Sequence, residues 1–328
     1  MRQYLGKLVD GDSVEEIYLV ADIQLRANRN GQPFIQIELR DRSASLTGRM
    51  WNAGEQIFRQ FEAGSFARVK GKVQMFQGAL QMILSAIDRA DPRNVEVNDF
   101  LPHADADIGK LLDRLRAILR SLGDPHLRAL GECFLTDEAF IKDFAACPAG
   151  VKNHHAYIGG LLEHVVTLLD AADKLAPLYP AVNRDLWLMG IFLHDIGKVR
   201  ELGYQTGFVY TDSGQLIGHL VQGVEMLTEK ANAVAKLTGE KFPQELLLRL
   251  QHVIVSHHGS YEFGSPKLPM TPEAIAVAAL DHMDAKINQV AAEIRNDRSE
   301  AAWTQYSPQN QRRYFKGGGK SNGVVDSE

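Results

Sequence analysis

The chain has little of what marks a secreted, membrane-spanning or disulfide-stapled protein. Its 328 residues include two cysteines, Cys133 and Cys147, which form neither a CxxC pair nor a disulfide framework. No apolar run approaches the roughly 18 residues that a membrane helix requires; the longest, Leu186 to Leu193, has eight. The N-terminus, MRQYLGKLVDGDSVEE, carries acidic residues and no apolar core, so it does not read as a secretory signal. A soluble cytoplasmic protein in a reducing compartment, with no membrane partner, is the expectation. Nucleophile elbow, Walker A and kinase signatures are also missing; Gly31 and Gly78 read as turns.

A strong charge of either sign is absent too. Residues 1–90 hold 12 Lys+Arg against 10 Asp+Glu, and the remainder holds 24 against 31, giving a net of −5. Neither part has the basic excess of a protein that lives on nonspecific DNA affinity. Any nucleic-acid contact must be local or assisted by metal ions. With 45% hydrophobic and 23% charged residues the composition is that of a globular protein, and the length suggests about two domains.

Within residues 1–90 the apolar period is two. Ile17–Ile23, Phe34–Leu39, Leu46–Trp51, Phe66–Val73 and Leu80–Leu84 read as strands, with turn signals at 28–33 and Gln77-Gly78. Residues 53–63 read as a short helix. Five strands with a helix between the third and fourth is the order of an OB-fold barrel; another small antiparallel barrel or an SH3-like domain is the alternative. Asp91-Pro92-Arg93-Asn94 breaks the pattern, and 91–105 reads as a linker. From Ile108 the period becomes helical: Ile108, Leu111, Leu112, Leu115, Ile118, Leu119 and Leu122 share one face. Helices are expected to about residue 297, so the fold class is a multidomain α and β chain, a β-barrel followed by an all-α bundle. The boundaries expected are 1–90, 91–105, 106–315 and a disordered tail over 316–328, where Gly317-Gly318-Gly319 begins a glycine-rich run.

The helical part holds His164, His194-Asp195, His219, His257-His258, Asp281 and Asp284. A lone histidine in an apolar helix is more often a hydrogen-bonded core residue than a ligand. Here four positions fall on successive apolar segments, and aspartates accompany two of them. Buried carboxylates are costly unless paired, and a metal relieves that cost. Imidazole with carboxylate suits Mn, Fe, Co or Zn, and serves Mg less well. The set suffices for two ions sharing a bridging carboxylate. Asp195 is the natural bridge, since it follows His194 at a helix end that Gly197 closes.

His164, His194-Asp195 and Asp281 resemble the H…HD…D pattern of the HD superfamily of metal-dependent phosphohydrolases, and HDIGK at 194–198 strengthens the match. An OB-like region followed by GGLLEH, HDIGK, SHHG, EFGSP and DAK resembles, over roughly residues 1–315, the YhaM family of 3′→5′ exoribonucleases. The resemblance implies His164, His194, Asp195 and Asp281 around one ion. It implies Asp195, His219, His257 and His258 around a second. It favours Asp281 over Asp284 as ligand, leaving Asp284 a supporting role and His282 facing elsewhere. It also implies release of nucleoside 5′-monophosphates from single-stranded RNA, with single-stranded DNA as a further substrate. The ions expected are Mn²⁺ first, with Co²⁺, Fe²⁺ or Mg²⁺ as alternatives. Homo-oligomers are compatible with it.

Four residues are candidates for the chemistry itself. Asp195 and Lys198 belong to HDIGK, with Lys198 a phosphate contact or a solvated surface lysine. His154 and His155 precede the first ligand helix as phosphate or proton-donor candidates, or as plain capping residues. Glu163, beside His164, is a candidate to orient a ligand. Tyr261 and Phe263 lie in a turn-rich loop after the histidine pair and can stack a base or pack the loop. On the barrel, Arg40, Arg42, Arg49, Trp51, Arg68, Lys70, Lys72 and Phe76 interleave basic and aromatic character as nucleic-acid contacts; Trp51 and Phe66 are alternatives for the core. Arg312-Arg313-Tyr314-Phe315-Lys316 is either a further RNA contact or a docking segment. Competing functions are a phosphodiesterase of small or cyclic nucleotides, against which the missing GYP element counts, and a non-catalytic single-strand-binding protein.

Overall fold

Period-two alternation builds the first part of the molecule. In the computed structural model, β1 (Ser13–Ala27), β2 (Pro33–Arg40), β3 (Ser45–Trp51), β4 (Phe66–Phe76) and β5 (Ala79–Arg89) close into a barrel in the order β1-β2-β3-β5-β4. The structure describes residues 2–317 apart from 29, 77–78, 97–98, 102, 105, 152–156, 205–207, 298, 300 and 308–309. Along β2, Ile35, Ile37 and Leu39 are fully buried while the residues between them face outward. β1 is long enough to pair with both β2 and β4, and its register shifts between Val20 and Asp22. β3 and β5 run parallel, which requires a crossover rather than a hairpin. That crossover is α1 (Glu55–Phe58) and β4. These features are those of the expected OB barrel. The helix expected over 53–63 is only a single turn, because Phe61 leaves it to enter the barrel core.

The remainder is helical, as the change of period requires: α2 (Ile108–Arg120), α3 (Pro125–Leu135), α4 (Glu138–Ala146), α5 (Gly160–Leu175), α6 (Arg184–Leu193), α7 (Lys198–Glu201), α8 (Asp212–Leu216), α9 (Gly218–Thr238), α10 (Gln244–Ser256) and α11 (Pro272–Asn296). A two-stranded ribbon, β6 (Leu202–Gly203) and β7 (Val209–Tyr210), interrupts them. The apolar run Leu186–Leu193 lies in α6, and all eight residues are buried. α5, α10 and α11 all pack against this helix. Among the described residues no helix is long and apolar enough to cross a membrane.

The connecting residues after the barrel are anchored. Phe100 and Leu101 are buried with Leu19, Phe66 and Ala90 of the barrel and with Phe208 from the helical part. The rings of Phe66 and Phe100 meet edge-on at 4.8 Å. At the other end, Lys316 pairs with Asp297 at 2.8 Å. Residues 318–328, part of the expected tail, lie outside the described residues.

Candidate metal centre and nucleic-acid surface

Five helix ends and faces converge on one point. α5 presents His164. Its N-terminus starts at Gly159, whose φ of +84° only glycine adopts readily and where a Cβ would lie 2.5 Å from Ile108 Cδ1. His194 and Asp195 follow the last residue of α6, so the most buried helix delivers them. His219 is the second residue of α9. His257 and His258 follow α10. Asp281 and Asp284, three apart on α11, share a face. At Gly197 the backbone of the HDIGK turn touches α9; a Cβ there would lie 2.0 Å from the His219 carbonyl oxygen.

The ligand-type atoms form two groups. In one, His164 Nε2 lies 3.4 Å from His194 Nε2 and 3.2 Å from Asp281 Oδ1, and His194 Nε2 lies 3.3 Å from Asp195 Oδ2. In the other, His219 Nε2 lies 3.2 Å from His258 Nε2, while Asp195 Oδ1 lies 3.6 Å from His219 Nε2 and 3.5 Å from His257 Nε2. The two oxygens of Asp195 thus face different groups. His257 also comes within reach of His194 and Asp281, so it stands between the groups.

The outer nitrogens of four histidines are tied down. His194 Nδ1 donates to Ile191 O at 2.7 Å and His257 Nδ1 to Ile254 O at 2.8 Å. His164 Nδ1 meets Asp284 Oδ2 at 3.0 Å, and His219 Nδ1 meets Glu201 Oε1 at 3.0 Å. Protons held on Nδ1 leave the Nε2 lone pairs directed inward, the arrangement that orients metal-binding imidazoles. Asp284 thus meets the outer nitrogen of His164, while Asp281 Oδ1 lies 3.2 Å from its inner nitrogen.

Electrostatics favour the ligating forms of Asp195 and His258. Burial opposes ionisation of Asp195, but Lys198 and His194 outweigh it and hold the carboxyl well below the usual range. Burial, then His257 and His219, pushes His258 down to about 4, which keeps it neutral with a lone pair to offer. His164 differs: burial lowers it, yet Asp281 and Asp284 overcome that and lift it to about 9, so without an ion this ring holds a second proton that a bound cation would displace. Asp195 Oδ1 is buried without a hydrogen-bond partner among the described residues. A buried carboxylate oxygen facing two imidazole nitrogens is what a divalent cation would satisfy, so the residues fit such an ion.

Lys198 Nζ sits 2.7 Å from Asp195 Oδ2, inside the centre rather than out in solvent. Glu163 does not orient a ligand; its carboxylate accepts from the Tyr157 hydroxyl at 2.6 Å. The residue that sequence reasoning missed is Glu201, buried and accepting also from the His219 backbone N–H at 3.0 Å. Its only signal was its place three residues after Lys198. Glu201→Gln is expected to weaken metal binding about 10–100-fold, read by titration against a chelator, with activity returning as metal is raised. His154 and His155 lie outside the described residues.

The HD domain family matches residues 161–286, and the OB-fold nucleic acid binding domain family matches residues 19–89. Over 281 residues the chain is 34% identical to the 3'-5' exoribonuclease YhaM of Bacillus licheniformis, covering 85% of this chain and 87% of that protein. It is 33% identical over 282 residues to the Bacillus subtilis protein of the same name, with the same coverage of both chains. The chain belongs to the YhaM exoribonuclease family. Its HD match implies dependence on divalent metal, and its OB match implies a nucleic-acid substrate.

The barrel residues singled out for that substrate separate into clusters. Trp51 is exposed and packs on Phe34 with ring centroids 4.8 Å apart, so it is a surface ring rather than core; Phe66 is core. Arg49 lies over the exposed Phe76 ring at 5.6 Å. Register places Arg49 and Lys72 on either side of Ile83, so these members of the family's barrel share one outer surface. Lys70 instead pairs with Glu15 at 3.2 Å on the β1 side. Arg40 sits at the far end of β2, bonded to Ser45 and 3.5 Å from Glu38. Near the metal centre, Tyr261 and Phe263 are exposed on the turn after Gly259, and Phe263 stacks on His282.

Proposed function

We propose that the chain removes nucleotides from the 3′ end of single-stranded RNA, using two divalent ions held at the His/Asp centre. The observation that carries the two-ion reading is Asp195, with one oxygen towards His164, His194 and Asp281 and the other towards His219, His257 and His258. Mn²⁺ is the first choice for the ions, with Co²⁺, Fe²⁺ or Mg²⁺ as alternatives. When bound, such ions supply Lewis acidity for the phosphoryl oxygens and lower the pKa of water. The chain's own residues do the rest. The Nδ1 partners hold the imidazoles in place. Lys198 keeps a positive charge beside Asp195, where a phosphate would approach. His154 and His155, by their position in the sequence, are the proposed proton donors.

In the reaction the oxygen of water bonds to the terminal phosphorus and the P–O3′ bond to the preceding nucleotide breaks. A proton goes to the departing O3′, leaving a shortened strand and a nucleoside 5′-monophosphate. Single-stranded DNA is proposed as a further substrate, and the cytoplasm as the site of action. The test is 5′-labelled RNA with Mn²⁺ or with EDTA. A ladder shortening stepwise from the 3′ end, abolished by EDTA, is expected. Intact RNA with hydrolysed cyclic dinucleotide would replace this reading with a small-nucleotide phosphodiesterase, and binding without cleavage would leave a binding protein. For the barrel, Arg49→Ala with Trp51→Ala is expected to raise KM about tenfold, the loss of one stacked base and one charge, with kcat changed far less. Steady-state kinetics on long and short RNA check it.

A further inference from the structure

Beyond α11 the chain doubles back as a short ribbon. Thr304 N–H donates to Tyr314 O at 2.9 Å, Ser307 N–H to Arg312 O at 2.9 Å, and Lys316 N–H to Ala302 O at 2.8 Å. The ribbon is clamped to the helix by Lys316 on Asp297 and by Asn310, which accepts from Gln289 at 3.2 Å and donates to Glu293. Its position is therefore fixed, yet it leaves large rings in water. Trp303 and Phe315, with ring centroids 5.1 Å apart, are 51% and 57% exposed, and Tyr306 is 53% exposed. Three large rings left half in water on one short ribbon mark a surface with a partner.

The charge of the ribbon says which partner. Residues 301–317 contain three basic residues and no acidic one, in a chain whose net charge is −5. Arg312 and Arg313 are exposed and meet no carboxylate among the described residues. A two-fold contact between copies would set this basic surface against itself. A single strand of nucleic acid offers what the ribbon lacks, phosphates for the guanidinium groups and bases for the rings. α11 links the ribbon to the centre: Asp284 and Asn296 are about 18 Å apart along one helix.

We propose that the ribbon of residues 302–307 and 310–316 is a second binding site for single-stranded RNA, gripping the strand upstream of the nucleotide being removed. The inference rests on the exoribonuclease reading and adds a site to it. The test uses the full chain with Arg312→Gln/Arg313→Gln, and separately Trp303→Leu. Binding of a labelled oligouridylate is measured in EDTA, where no turnover occurs, across a salt series. Turnover of a dinucleotide, too short to reach the ribbon, is measured with Mn²⁺. Loss of two phosphate contacts should reduce the slope of log K against log salt by about 1.4. Trp303→Leu should raise Kd about tenfold at every salt concentration. Dinucleotide turnover should be unchanged in both. Unaltered affinity and slope in both variants would overturn the proposal. So would a fall in molar mass by light scattering with RNA affinity intact, which would assign the ribbon to contact between copies. If the wild-type chain cleaved no RNA while the variants still lost affinity, the exoribonuclease reading would fail and the binding site would stand.

Discussion

Asp195→Ala should abolish turnover and leave RNA binding within about tenfold, or 1.4 kcal/mol. Removing a single preorganised donor from an enzyme site costs about 10²–10³ in kcat; Asp195 serves two histidine groups at once, so the loss should exceed that range. Its removal also strands the Lys198 ammonium, whose partner at 2.7 Å is this carboxylate, and unpaired buried charge is strongly unfavourable. Asp195→Asn keeps the shape and removes only the charge, so agreement between the two variants would exclude a cavity as the cause. Both variants should bind less metal by elemental analysis and show no 3′ shortening in single-turnover assays. The barrel surface around Arg49 and Trp51 is untouched, which is why affinity for the strand should survive. An Asp195→Ala enzyme that still cleaved at near wild-type rate would refute the assignment of the centre.

The second large effect should come from Gly197→Ala, a change of one methyl. The added carbon would lie 2.0 Å from the His219 carbonyl oxygen and 2.7 Å from Gly223 N, both main-chain atoms. No rotamer change relieves such a contact, so α7 and α9 must separate. Overpacking of a filled core costs about 1–3 kcal/mol, and a clash with backbone belongs at the upper end. His219 rides on the displaced segment, so metal content should fall along with stability. Thermal unfolding and elemental analysis on the same sample check both. A variant with unchanged Tm and full metal content would show that the contact is slack.

The barrel and the succession of His and Asp residues that converge on the centre were legible in the sequence, the first from its alternation and the second from its short motifs. Alternation in Phe34–Leu39 fixes which side chains enter the barrel, and HDIGK keeps two candidate ligands adjacent. What was not legible depends on contacts across the fold. Glu163 adjoins His164 in the sequence, but successive residues of a helix point about 100° apart, so adjacency turned it towards Tyr157 instead. Glu201 reaches His219, 18 positions further on, only because the β6–β7 ribbon turns the chain back on itself. The carbonyls of Ile191 and Ile254 carry no mark at all, because every residue has one. Trp51 and Phe66 could not be told apart by type; their strand register decided that one is a surface ring and the other core.

The four tethered histidines differ in how heredity can reach them. The ties of His164 and His219 end on the side chains of Asp284 and Glu201, so a single codon change can loosen or retune either one. The ties of His194 and His257 end on main-chain carbonyls, which no substitution deletes. Natural variation in metal preference across relatives should therefore gather at positions 201 and 284, while the other half of the centre stays fixed.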